Sequence, residues 1–212
     1  MLSLQRRILT CRRCPRLIAY HDGIAAEHPD WHCRPVPGWG DPKARVVLVG
    51  LAPSRTGGNR TGRIFTGDKT GDFLFEALHR AGFSNQPTSI SKDDGLVLRD
   101  IYLTPALKCA PPKDKPTPEE LRACFPFLRE ELAALTGARV VIALGRIAHD
   151  AYLRSRGEPL SAHPFAHGAW HPLAGGPGLL DTYHCSPRNT NTGVLTKPML
   201  DAVLRKAKRL AN

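Results

Sequence analysis

With 212 residues, 42% of them apolar, the chain is long enough to bury one sizeable core, and a single domain over residues 1–212 is expected. No apolar run reaches the length of a membrane span, and basic residues flank the short apolar stretch in MLSLQRRILTCRRC, so neither a span nor a secretory signal is expected and a cytoplasmic protein is. Thirty Lys and Arg against 19 Asp and Glu give +11, a balance that favours polyanions because each phosphate contact releases counterions, although charge alone does not establish a nucleic-acid partner.

Along the chain, four short β-branched runs read as buried strands: Arg45 to Gly50, Asp100 to Thr104, Arg139 to Leu144 and Leu180 to His184. Helical patterns lie between them. Leu74, Ala77, Leu78 and Ala81 repeat at helical spacing. Leu121, Cys124, Phe125, Leu128, Leu132 and Leu135 form a second stripe after the capping sequence Thr117-Pro118-Glu119-Glu120, with Pro126 expected to kink it. A third helix follows Gly145. A last one begins near Pro198, with Met199, Val203, Leu204 and Ala207 inward and Arg205, Lys206, Lys208 and Arg209 solvated. Alternating strands and helices imply an α/β fold with a mainly parallel sheet covered on both faces. Ligands then bind beyond the carboxyl ends of the strands, after Gly50, Thr104 and His184.

Six cysteines in an intracellular chain with its own core do not suggest a disulfide framework, and metal binding becomes their leading use. Cys11 and Cys14 form a C-x-x-C pair, and Cys109 and Cys124 stand with fourteen residues between them. Four converging thiolates suit zinc or an iron–sulfur cluster, and ligand softness does not separate the two. The alternative for Cys109 and Cys124 is the ordinary buried thiol. A redox pair is disfavoured because Cys11 and Cys14 do not follow a strand. Cys33 and Cys185 read as unliganded.

Two polar loops carry the remaining chemistry. Gly50-Leu51-Ala52-Pro53-Ser54 leads into a Gly-rich stretch from Gly57 to Asp68, and His184-Cys185-Ser186 leads into Pro187 to Gly193. The first lets backbone approach a ligand closely, but it lacks the endings of dinucleotide or P-loop motifs. Leaving two strand ends, the two loops can face each other across one pocket.

GLAPS, then GxNRTGRxFTGD, then KCAPP, then a histidine-led HxSxxNTxTG, in this order and together with the four cysteines, resembles the type B, or family 5, uracil-DNA glycosylases from Cys11 to Gly193. The resemblance implies a three-layer α/β/α sandwich on a four-stranded parallel sheet. It further implies a [4Fe-4S] cluster on Cys11, Cys14, Cys109 and Cys124 that ties down residues 1–44. The implied activity is monofunctional hydrolysis of the N-glycosidic bond of uracil in DNA, extending to hypoxanthine and xanthine, which starts base-excision repair. Duplex DNA is the expected partner, single-stranded DNA a further one, and the enzyme is expected to act as a monomer.

A base must leave the helix to be excised, so the pocket needs a stacking wall and donors for the base edge. Phe65 is the candidate wall, with core packing as its rival role. His184, with backbone N–H groups of Gly50, Leu51 and Ala52, is the candidate stabiliser of the departing base, and Asn59 and Ser186 complete the expected substrate contacts. No carboxylate follows the first strand, so Asp68 is the candidate for positioning water, with helix N-capping as its rival role. Arg60, Arg63, Arg188, Asn189, Thr190, Asn191 and Thr192 are the candidate DNA contacts, with a solvated basic face as the alternative for the arginines. Pro105 stands where some relatives carry an asparagine that reads uracil, and Cys185 replaces the proline that usually follows the histidine; weaker uracil selectivity is expected. Two other readings stay open: a non-catalytic iron–sulfur module that binds lesions, and a zinc-stabilised nucleotide-binding enzyme.

Overall fold

The computed structural model describes residues 1–212. Two helices, α1 (Leu2–Leu9) and α2 (Pro15–Glu27), precede the sheet, Pro15 starting α2 where its missing N–H costs nothing. The first edge strand, β1 (Trp39–Gly40), leads to β2 (Val46–Gly50). The short α3 (Gly58–Thr61) and α4 (Lys69–Arg80) then precede β3 (Ile101–Pro105). Helix α5 (Pro118–Ala134) is followed by β4 (Val140–Leu144), α6 (Arg146–Arg156), β5 (Trp170–His171) and β6 (Gly178–Thr182). The chain ends in α7 (Pro187–Asn191) and α8 (Lys197–Ala211).

The sheet has six strands in the order β1-β3-β2-β4-β6-β5, not four. The expected four-stranded parallel block is its centre: β3, β2, β4 and β6 pair in parallel, and the added two-residue strands pair antiparallel at the edges. Such short strands carry too few residues for an alternating pattern to register in the sequence. Every residue of the four central strands is buried, as expected of parallel strands covered on both faces. Val46 and Leu48 pack with Leu74, Leu78, Val203 and Leu204, whereas Val47 and Val49 pack with Leu128, Ala148 and Tyr152. Helices α4 and α8 therefore cover one face and α5 and α6 the other.

Local signals set the helix ends. Asp68 caps α4 by accepting from the Gly71 amide, and Thr117 with Glu120 closes the capping box of α5. Helix α5 continues through Pro126. The final expected strand shifts: β6 ends at Thr182, so His184 lies two residues beyond the sheet rather than on it. The chain crosses to β3 on one side of β2 and to β4 on the other, which opens a crevice at their carboxyl ends. No helix is long and apolar enough to cross a membrane.

Candidate active site

A cavity of about 510 Å³ occupies that crevice, lined among others by Ala52 after β2, Phe65 and Asp68 before α4, Asp114, and His184 and Arg188 after β6. Gly145, which starts α6 at φ +83°, brings the backbone close: a Cβ there would sit 3.1 Å from the His184 Cβ. Phe65, at φ +56°, lies with its ring across Gly50, where a Cβ would meet Cζ at 2.5 Å. Its two expected roles coincide, because the ring both lines the cavity and joins the main core cluster. Gly50 supports the ring from below and does not line the cavity.

Asp68 also combines its two expected positions. Oδ1 accepts from the Gly71 amide at 2.9 Å, Oδ2 accepts from the Ser54 hydroxyl, and the carboxylate faces the cavity. Ser54 in turn accepts from the Gly57 amide, 3.0 Å away, so the loop after β2 is tied to the start of α4. Each carboxylate oxygen keeps a lone pair for a further donor. Burial lowers the pKa of His184, partly opposed by Asp68, so the ring is neutral at neutral pH and still has one N–H to donate. The amides of Leu51 and Ala52 donate to no backbone carbonyl and border the same cavity.

Sequence reasoning missed Ser54 and Asp114. Burial raises the pKa of Asp114 and the charge of Asp68 adds to the rise, placing two carboxyl groups around one space. Lys113 and Asp114 are consecutive non-glycine residues in left-handed conformation, a strained turn that aims the side chain inward. Only the acidic residue after KCAPP could have hinted at this.

Several expected contacts change. Arg63 is buried, stacks 4.5 Å over the Trp39 ring and pairs with Asp94 at 2.7 Å. It anchors the Gly-rich loop and has no surface to offer a phosphate. Asn59 is wholly buried, with its amide 3.7 Å from Cys33 Sγ, and stands outside the cavity. Arg60 donates to the carbonyls of Thr56 and Gly67 at 2.6 and 2.9 Å, along an open groove that continues past Asp68. Ser186 and Arg188 border the cavity. Asn191 and Thr192 are exposed and Thr190 half-buried beside them, while Asn189 donates to the His184 carbonyl at 2.8 Å and so fixes the loop.

Cys109 and Cys124 are buried in one group with Leu4, Ile8, Leu17, Leu107 and Phe127, and the half-buried Cys11 and Cys14 pack against it. Burial, then the charges of Cys124, Cys11 and Cys14, pushes the Cys109 thiol up. Burial also pushes Cys124 up to about 11. Cys185 lies in the main core and Cys33 beneath α3, both apart from this group.

Residues 37–208 match the family model described as the uracil DNA glycosylase superfamily. The chain is 53% identical over 210 residues to a type-5 uracil-DNA glycosylase of Thermus thermophilus, covering 96% of this chain and 95% of that protein. It is 48% identical to a type-5 uracil-DNA glycosylase of Pyrobaculum aerophilum, covering 95% of this chain and 89% of that one. A type-4 uracil-DNA glycosylase of Archaeoglobus fulgidus is 33% identical, over 69% of this chain and 60% of that protein.

Proposed function

Because the chain belongs to the uracil DNA glycosylase superfamily, in its type-5 branch, we propose that it hydrolyses the N-glycosidic bond of uracil in DNA. The observation that carries this reading is the meeting of Asp68 and His184 on one cavity beyond the strand ends. The target nucleotide turns out of the duplex and its base lies against Phe65. As the bond from C1′ to the base breaks, its electron pair passes to the base, and the N–H groups of His184, Leu51 and Ala52 stabilise the negative oxygen. Asp68 accepts a hydrogen bond from the water that attacks C1′. Asp114 borders the same water. No carboxylate directly follows β2, and Asp68 and Asp114 line the cavity from elsewhere in the chain.

Base recognition falls to backbone amides and one imidazole, since the proline at 105 offers no side-chain donor. Main-chain donors fit any ring with a carbonyl at the same edge, so hypoxanthine and xanthine are substrates as well. The enzyme acts as a monomer on duplex DNA in the cytoplasm, and Arg60, Arg188, Asn191 and Thr192 approach the backbone beside the vacated position.

The four clustered cysteines hold a [4Fe-4S] cluster. Their all-thiolate donor set suits iron–sulfur, and Arg13, outside every ion pair, brings positive charge near Cys14, whereas Arg16 and Lys108 are paired with Glu120 and Glu131. A single zinc with Zn–S near 2.3 Å would draw four sulfurs to about 3.8 Å of one another. His149, His171 and Asp181, not the cysteines, are the metal-type ligands whose donor atoms all lie within 4.8 Å. Once bound, the cluster supplies a crosslink, because base hydrolysis moves no electrons.

A single-turnover assay on a duplex with one uracil, followed by alkaline strand cleavage, tests the reading, with hypoxanthine at the same site as the second substrate. His184→Ala is expected to lose about 10²–10³ in rate, the loss typical of one removed oxyanion donor. Binding without any abasic product from the unmodified protein at any pH would overturn it in favour of a lesion-binding module.

A further inference from the structure

At the opposite end of the sheet, an open bowl of about 690 Å³ lies among Arg129 of α5, Arg139 before β4, and Arg154 and Arg156 of α6. No Asp or Glu lines it. Nine of the seventeen other arginines hold a carboxylate, Arg7, Arg16, Arg45, Arg63 and Arg80 among them. None of the four in the bowl does.

The bowl is also shaped around these side chains. Arg156 donates to the Ala174 carbonyl at 2.7 Å and passes so close over Gly176 that a Cβ there would collide with its guanidinium, and its buried Nε has no partner. Arg139 turns one nitrogen, Nη1, to the carbonyls of Thr136, Gly137 and Ala138, leaving Nη2 and Nε unengaged. Arginines in a last helical turn complement the helix dipole, which accounts for Arg154 and Arg156 but not for Arg129 in the body of α5 or Arg139 outside any helix. Uncompensated guanidinium groups converging from three segments are built for an anion with several oxygens, and guanidinium–phosphate pairing is the strong form of that contact.

We propose that this bowl is a second nucleic-acid contact, taking the phosphodiester backbone of a DNA segment other than the one whose base occupies the cavity. The identity of the anion rests on the DNA-excising reading above. Position supplies the rest: the cavity lies at the carboxyl ends of the strands and the bowl at the amino ends of β4 and β6, separated by five residues of strand, about 17 Å. A duplex seated on the cavity faces away from the bowl. The protein therefore holds two segments at once and passes between them without dissolving fully into solution.

The test captures a labelled, uracil-free duplex on a bead-bound duplex through the protein, and measures single-turnover excision on a short uracil duplex with the same preparations. Arg129→Ser with Arg154→Ser, both exposed and outside every ion pair, is expected to lower capture about tenfold and the salt slope by about two, with excision unchanged. Arg205→Ser with Arg209→Ser removes equal charge from α8 and is expected to leave capture within about twofold. Capture unaffected by the bowl variant, or lowered equally by both, overturns the proposal. Excision without capture sinks the bowl alone, and capture without excision sinks the enzymatic reading alone.

Discussion

At the scale of single residues, Asp68 carries two duties on one carboxylate, holding the first turn of α4 and presenting lone pairs to the cavity. The two duties come apart in Asp68→Asn. Asparagine caps about as well as aspartate, so thermal unfolding should move by no more than a few degrees. The excision rate should fall by about 10²–10⁴, because the neutral amide no longer takes a proton or strongly orients water. A variant that unfolds early yet excises normally would make the side chain a cap and nothing more. Burial and the charge of Asp68 raise the pKa of Asp114, so it keeps its proton to higher pH than an ordinary aspartate and limits the negative charge at the cavity.

Among the elements, the Gly-rich loop is held from behind by a buried ion pair. Burial alone would raise the pKa of Asp94, but Arg63 and the amides of Ile90 and Leu96 bring it down to about 2. A carboxylate depressed in the folded state contributes stability above its unfolded pKa, near 3.8, and that contribution disappears as pH falls towards 2. Thermal unfolding of the unmodified protein should thus show an acid loss over this window that is missing from Asp94→Asn. The variant should itself be less stable by about 3–5 kcal/mol, since Arg63 is left buried without its partner. Identical acid profiles would remove this pair from the stability of the loop. The same pair shows where sequence reading stops. Valine-rich runs announced β2 and β4 because burial on both faces leaves a composition signature, whereas the weaker pattern at β6 was read two residues too late. Arg63 carried no such signature: its partner is thirty-one residues away and its stacking ring lies in β1, so only the fold distinguishes an anchor from a phosphate contact. The histidine and Asp68 were legible because their motifs sit at element boundaries, whereas Asp114 depends on a strained turn that no pattern encodes.

Across the whole molecule, the four cysteines join the start of the chain to the loop after β3 and to α5. Cys109→Ser should abolish the visible absorption of the purified protein and expose α1 and α2 to limited proteolysis, while circular dichroism keeps the signature of the sheet. Full protection of both helices without the chromophore would mean that Ile8, Leu17 and Phe127 hold this region unaided. The same spacing has a consequence during synthesis. About 110 residues separate Cys14 from Cys124. At ribosomal rates the first two thiols therefore wait on the order of ten seconds before the last one is even made. Until then the nascent chain carries Cys11 and Cys14 without the two thiols they gather with in the folded protein.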